Sequence, residues 1–204
     1  MDREVLVLRV ICVRTGNKYG QWYEDNLKHM VDNYSGLEYD TFECIHDDVY
    51  DDERGVFNKL QMFDRYRDGQ NIYFDLDILI KDNCNHFLRK DFTLCHAWWR
   101  DSFHTPLNSS IVSWTGDVSH IHDKFIEDPD YYMLKYHRGI DQFIYENIKY
   151  KSYSIDDKYC SYQTVTEKAD YNIYLFNQRY EHMKKGGWFS EYFYDSKMYY
   201  SSKA

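Results

Sequence analysis

Two carboxylates set two residues apart, Asp75-Leu76-Asp77, lie inside the most apolar stretch of the middle of the chain. In an extended strand, residues i and i+2 share one face, so the pair would be neighbours. Like charges that close repel, and burial raises the cost of ionising both. A divalent cation resolves the conflict, because hard oxygen ligands suit Mg²⁺ or Mn²⁺, ions that typically bridge substrate phosphates. A D-x-D pair on a solvent-facing edge would need no metal. The flanks argue against that placement, since Ile72-Tyr73-Phe74 and Ile78-Leu79-Ile80 read as a central strand in which unpaired charge is costly.

The elements that must position this pair follow from the apolar pattern. Residues 4–13 form an almost continuous apolar, β-branched run, the mark of a strand buried on both faces. A polar, glycine-containing loop follows at 14–20. Tyr23, Leu27, Met30, Val31 and Tyr34 then trace one face of a helix. A second strand is expected over 39–45 and an acidic loop over 47–53. Val56, Phe57, Leu60 and Phe63 make a short helix closed near Asp68-Gly69, and 71–80 reads as one strand carrying both carboxylates. This strand–helix–strand–helix–strand order predicts an α/β fold with a mostly parallel central sheet, Rossmann-like but without G-x-G-x-x-G. Beyond it, a strand is expected at 107–114 and a helix through Ile121, Phe125 and Ile126 ended by Asp128-Pro129. A helix through Phe143, Ile144 and Ile148 has Asp141 as its candidate N-cap, and 171–176 is a further strand.

Composition bounds the function classes. The 204 residues hold 25 Lys and Arg against 34 Asp and Glu, a net charge of −9. That balance argues against nucleic-acid binding, which needs clustered cations to neutralise phosphate. No apolar run approaches the ~20 residues of a transmembrane helix, and the first residues carry no signal-peptide pattern. Five cysteines without a C-x-x-C spacing read as reduced thiols of a cytoplasmic protein rather than as a zinc cluster. The mean hydropathy of −0.77 is low because 22 tyrosines score as polar while bringing large aromatic bodies to a core. An acidic protein of this kind needs a device to hold an anionic substrate, and a metal-binding D-x-D is one.

Several segments in order resemble the GT-A type glycosyltransferases, in the broad group of family 8-like, glycogenin-like enzymes. They are the first strand with Lys18-Tyr19-Gly20 and its following helix, Cys44-Ile45-His46-Asp47-Asp48, Phe57-Asn58-Lys59-Leu60, Tyr73-Phe74-Asp75-Leu76-Asp77, Asn108-Ser109-Ser110, and Gly139-Ile140-Asp141-Gln142-Phe143. The resemblance spans about residues 5–178. It implies a single GT-A domain over 1–180, with the aromatic segment 181–204 packed on it, and a hexosyl-type transferase using a nucleotide-diphosphate sugar, UDP- or GDP-linked, and a hydroxyl acceptor. Asp75 and Asp77 would bind Mn²⁺ or Mg²⁺. Thr15, Tyr19 and Asp47 would line the nucleotide pocket, Tyr19 as a stacking or packing ring and Asp47 as an acceptor. Lys59 would reach the donor phosphates or the metal-site carboxylates, Asn108 the sugar, and Asp141 with Gln142 the sugar side near the acceptor. One departure stands out: Asn177 occupies the place where the group usually has a metal-binding histidine, with His182 a distant substitute.

Each of these residues also has an ordinary reading. Tyr19 is one tyrosine among many, Lys59 is a snorkelling side chain on a short helix, Asn108 is a turn cap and Asp141 a helix cap. In the His120-Ile121-His122-Asp123 cluster, helical spacing points His120 and His122 to different sides. His96-Ala97-Trp98-Trp99-Arg100 reads as core with a cation–π contact or as a sugar platform. Two rival functions remain open, a non-catalytic nucleotide-sugar binder and a HAD-like phosphoryl-transfer enzyme. The second expects a nucleophilic Asp near the N-terminus with Thr four residues on, where this chain has Leu79.

Overall fold

The computed structural model describes residues 6–50 and 54–194. Glu4 and Val5 of the first expected strand, residues 51–53 of the acidic loop, and Tyr199 and Tyr200 of the aromatic tail lie outside the described residues.

A six-stranded sheet forms the centre. Its strands are β1 (Leu8–Val13), β2 (Thr41–Ile45), β3 (Gln70–Phe74), β5 (Thr93–His96), β6 (Leu107–Thr115) and β7 (Lys151–Tyr153), in the order β2-β1-β3-β6-β5-β7. β1 pairs in parallel with β2 and β3, β5 pairs in parallel with β7, and β6 runs against both its neighbours. Five of the six strands therefore point one way, and the mostly parallel α/β sheet is as expected. The continuous apolar run of β1 serves both faces. Val10 and Cys12 face a core made with helix α1 (Gln21–Tyr34), while Ile11 and Val13 face the opposite core. That second core holds α2 (Gln61–Arg65), α3 (His120–Ile126), α4 (Pro129–Lys135) and α5 (Ile140–Asn147). Burial on both faces is why the strand lacks an alternating pattern.

The stretch expected as one strand over 71–80 is two. β3 ends at Phe74, and β4 (Ile78–Ile80) belongs to a separate three-stranded sheet, β4-β9-β8, with β9 (Ile173–Leu175) and β8 (Tyr159–Ser161). Asp75-Leu76-Asp77 is the turn between them. Its amide at Asp75 still donates to Ser110 O of β6 (2.9 Å), and its carbonyl at Asp77 accepts from Phe176 N beyond β9 (2.9 Å). Apolar flanks alone do not distinguish one long buried strand from two short ones joined by a turn.

One helix boundary differs from expectation, and another does more than was expected of it. Gly139, not Asp141, caps α5, at φ +92°, where a Cβ would stand 3.1 Å from a Val56 methyl. Only glycine fits there at low cost, so Asp141 moves inside the first turn with its carboxylate released for other partners. Asp128-Pro129 follows directly on the end of α3 at Ile126, as expected, and also begins a further helix: Pro129 takes the first turn of α4 and Asp128 accepts from Tyr131 N (3.2 Å). The strands β5, β7 and β8, three or four residues each, were too short to carry a readable period.

Beyond β9, α6 (Glu181–Lys185) and a 3₁₀ turn (Trp188–Tyr192) return across α1. Phe189 and Phe193 are buried in the α1-side core, and Trp22 Nε1 donates to Tyr194 O (3.1 Å). Tyr194 N donates to Asn26 Oδ1 (2.9 Å). Much of the tyrosine excess is spent in the interior, where Tyr73, Tyr136, Tyr153, Tyr159 and Tyr174 are almost wholly buried. Their hydroxyls find partners, as with Tyr153 on Phe87 O (2.7 Å) and Tyr159 on His96 O (3.0 Å). All five cysteines are free thiols. Among the described residues, no helix is long and apolar enough to cross a membrane.

Candidate active site

The D-x-D turn leaves the carboxyl end of β3, where ligands enter open α/β sheets. It lines a cleft of about 650 Å³ together with Thr15, Tyr19, Lys59, Arg100 and Asn177. Six of the ten residues singled out from sequence thus share one cavity: Thr15, Tyr19, Lys59, Asp75, Asp77 and Asn177.

The two carboxylates are not equivalent. Lys59 Nζ sits 2.5 Å from Asp75 Oδ1, with both side chains mostly buried, and the Tyr73 hydroxyl donates to the same oxygen (2.5 Å). Burial alone would raise the Asp75 pKa, but the Lys59 charge and these hydrogen bonds outweigh it and hold the carboxyl below its ordinary value. Lys59 stays protonated for the matching reason, since burial opposes its charge and Asp75 restores it. Asp77 is 3% exposed, and among the described residues no cation pairs with it. Its side-chain partner among the described residues is the Tyr19 hydroxyl, which donates to Oδ2 at 2.8 Å. Burial, then the neighbouring Asp75 charge, pushes Asp77 up to about 6. Burial and the Asp77 charge in turn hold the Tyr19 hydroxyl firmly protonated. Lys18 stands over the rings of Tyr19 (4.5 Å) and Tyr180 (4.8 Å), near enough to favour the Asp77 charge without bonding it.

This donor set fits a hard divalent ion. It offers carboxylate and amide oxygens around a pair whose second member is hard to ionise for want of positive charge. Asn177, at φ +50°, presents Oδ1 near Asn108 Nδ2 and Ser110 Oγ, each 3.4 Å away, contacts long enough to leave a lone pair for a ligand. His182 is not among the residues that line the cleft, and its ring packs against Tyr162 (5.8 Å).

The remaining expected residues lie elsewhere. Asp47 is exposed and its carboxylate pairs with Arg65 (2.6 Å), outside the cleft. The neighbouring Asp48 instead accepts from Gly16 N (3.2 Å) and from Asn58 Nδ2 (2.8 Å). Asn58 is fully buried; its amide also reaches Thr15 Oγ1 (3.2 Å) and its carbonyl accepts from Val49 N and Tyr50 N. One side chain thus ties the 14–20 and 46–50 loops together. Asn108 is the second residue of β6 rather than a turn cap.

Asp141 accepts from Ser109 N (3.0 Å) and Arg100 Nη2 (3.1 Å). Arg100 lines the cleft and also an outer groove of about 600 Å³, which holds Gln142 with Trp98, His104 and Arg138. Arg100 therefore belongs to the site as a bridge between two cavities, and not to a core cation–π cluster. Asn58 was missed as a functional residue, and Arg100 entered only within the 96–100 aromatic run, without its link to Asp141. For Asn58 the signal was its place beside Lys59; for Arg100, its place as the one cation in an aromatic run. The H-x-H-D cluster at 120–123 brings no three metal-ligating groups together.

No family model and no curated protein sequence matches the chain. Its fold, however, is shared with solved glycosyltransferases. A glycosyltransferase involved in the glycosylation of the major capsid of PBCV-1 superposes with TM-score 0.63 over 88% of this chain and 100% of that one, at 11% identity. The glycosyltransferase GlyE of Streptococcus pneumoniae TIGR4 gives 0.60 over 82% of this chain and 54% of its own, also at 11% identity. An active-site mutant of LgtC gives 0.54 over 82% and 86%, at 8% identity. The chain has the GT-A type fold.

Proposed function

We propose that this chain is a metal-dependent glycosyltransferase, of hexosyl type, that moves a sugar from a UDP- or GDP-linked donor to a hydroxyl acceptor. The observation that carries the reading is the pair of buried carboxylates at the carboxyl end of β3, one neutralised by Lys59 and the other, among the described residues, paired only with the Tyr19 hydroxyl. Asp75, Asp77 and the Asn177 amide would hold Mn²⁺ or Mg²⁺, whose chemistry when bound is to neutralise the donor diphosphate and stabilise the departing nucleoside diphosphate. The acidic protein would thereby accept an anionic substrate.

The chain's own residues do the rest. Tyr19 fixes Asp77 by its hydroxyl, and its ring is already covered by Lys18, so its part in the nucleotide pocket is packing and orientation rather than stacking. Lys59 holds Asp75 and stays charged beside the expected phosphate position. Thr15, tied through Asn58 to Asp48, shapes the wall where the nucleoside would lie; Asp47 takes no part we can assign. Asn108 orients Asn177 from the sugar side. Asp141, held by Ser109 N and Arg100, faces the acceptor side with Gln142 and is the first candidate for a polar role at the reacting sugar. Residues 1–180 would form the transferase domain, with the 181–204 segment as its outer cover, and five free thiols fit work in the cytoplasm.

The test is a thermal-shift panel of nucleoside diphosphates with and without Mn²⁺, since a ligand of the folded state raises its melting temperature. UDP or GDP should stabilise the protein only with metal, and the effect should vanish in the double variant Asp75→Ala, Asp77→Ala. Donor-sugar hydrolysis or transfer by the wild-type protein then distinguishes an enzyme from a binder. Stabilisation by no nucleotide, with phosphate released from a simple phosphomonoester, would overturn the proposal.

A further inference from the structure

A second group of ligating side chains lies on the other side of β1, away from the cleft. Cys44 and His46 flank Ile45 at the carboxyl end of β2, so they share the face that α1 covers while Ile45 points into the opposite core. Glu24, in the first turn of α1, comes down onto the same spot. One ligand atom from each of the three, the Glu24 carboxylate, the Cys44 thiol and the His46 ring, lies within 4.8 Å of the other two. Among the described residues, no other three such groups converge.

We propose that Glu24, Cys44 and His46 form a binding site for a borderline-soft divalent ion of the zinc class, separate from the carboxylate cleft. The ligand chemistry selects the ion. A thiolate and an imidazole beside one carboxylate suit Zn²⁺, whereas the all-oxygen set at Asp75 and Asp77 suits Mg²⁺ or Mn²⁺. Three protein ligands leave a fourth tetrahedral position to water or an outside ligand.

The surroundings resemble the outer shell that metal ligands need. His46 Nε2 lies 2.8 Å from Glu24 Oε2, and Arg14 Nε donates to the same oxygen at 2.7 Å. A carboxylate offers about four lone-pair positions over its two oxygens, so Glu24 can keep Arg14 and still ligate. Gln21 Oε1 accepts from Arg14 Nη2 (2.9 Å), which holds the guanidinium in place. The His46 side chain is half exposed at 51%, which gives an ion a path in. Cys12 lies directly across from Cys44 in the parallel register, but it is fully buried and is not among the three groups that converge. It packs behind the site and is not one of the ligands. Cysteine spacing could not disclose such a site, because only one of its three ligands is a cysteine.

The experiment titrates the metal-free full chain with Co²⁺ as a probe and Zn²⁺ as its competitor. The expected result is a thiolate-to-cobalt charge-transfer band that saturates at one equivalent and is bleached by Zn²⁺. The band should be absent in Cys44→Ser. It should need on the order of 10- to 100-fold more metal in His46→Ala or Glu24→Gln, since losing a ligand costs at least as much as losing an outer-shell partner. The double variant Asp75→Asn, Asp77→Asn should leave it unchanged, which keeps this site distinct from the cleft. His46→Ala alters a half-exposed side chain, so it reports even if Cys44→Ser fails to fold. No band at any Co²⁺ concentration, a band that survives Cys44→Ser, or an affinity unmoved by both His46→Ala and Glu24→Gln would each overturn the proposal.

Discussion

On one wall of the cleft, the 3₁₀ turn Gly55–Leu60 brings Lys59 onto Asp75, and Tyr73 closes the same carboxylate from below. On the facing wall, the loop between β1 and α1 offers Asp77 only a neutral hydroxyl, from Tyr19, with Lys18 displaced onto aromatic rings. The two acids differ by two positions in sequence and both are largely withdrawn from water, yet their proton affinities move in opposite directions. Burial pushes both carboxyls upward; the net sign follows from whether a cation in contact outweighs it. One carboxylate is already neutralised by the protein, and the other is left for something that comes from outside.

The most damaging way to erase this asymmetry is to remove both acids. Asp75→Ala with Asp77→Ala should lower donor turnover roughly a hundredfold to thousandfold, as several kcal/mol of charge stabilisation implies at tenfold per 1.4 kcal/mol. Steady-state transfer assays check this, and a loss under tenfold would place the chemistry elsewhere.

Removing the cation from the first wall comes next. Lys59→Met leaves Asp75 buried without its partner and should destabilise the fold by about 3 kcal/mol, the range for breaking a buried pair from one side. The same change deletes a cation that competes with metal for Asp75, so Mn²⁺ affinity should rise while urea denaturation shows the lower stability. A fall in both quantities would show that Lys59 only supports the turn.

On the second wall, a folded-state pKa of about 6 against the ordinary value of 3.8 means that the native protein binds the Asp77 proton more tightly than the unfolded chain. Stability from this group is full below about 4 and is lost as pH rises toward 6, a penalty of about 3 kcal/mol above that point. Asp77→Asn should therefore be more stable than wild type at pH 7.5 in chelator and lose the advantage near pH 4. Asp75 slopes the other way, its contribution being present at neutral pH and lost only in acid. Denaturant midpoints measured across that range give the two slopes, and a flat difference between variant and wild type would refute the assignment.

Smallest is the effect of one hydroxyl. Tyr19→Phe takes away the hydrogen bond that favours the Asp77 carboxylate, so its pKa should rise further and Mn²⁺ binding at pH 6 should weaken about tenfold, the worth of a hydrogen bond to a charged group. Calorimetric titration at pH 6 and pH 8 checks it, with the deficit shrinking at the higher pH.

The first half of the fold was legible because its elements are long and periodic. β1 announces itself as a doubly buried strand, and α1 as one apolar helical face. The break at Asp75-Leu76-Asp77 was not legible, because Ile78-Leu79-Ile80 is as apolar in a small side sheet as it would be in the main one. Gly139 displaced Asp141 from its expected cap for a reason outside its own segment, the approach of Val56. Six cleft residues were foreseen because type and order mark them. Asp47 went to Arg65 and the role beside Gly16 to Asp48, a one-residue shift that only the loop's hydrogen bonds decide. Asn58 and Arg100 act by joining segments distant in sequence, and no local pattern records that.

The turn between the two sheets has a mechanical side. Asp75 hangs by its amide from the large sheet and Asp77 by its carbonyl from the small one, so the carboxylates measure the separation of two independently hydrogen-bonded bodies. Anything gripping both acids acts as a rivet across that seam. Occupancy of the cleft would therefore stiffen β8 and β9, strands whose own residues never touch it, and the small sheet would serve as a remote gauge of whether the site is filled.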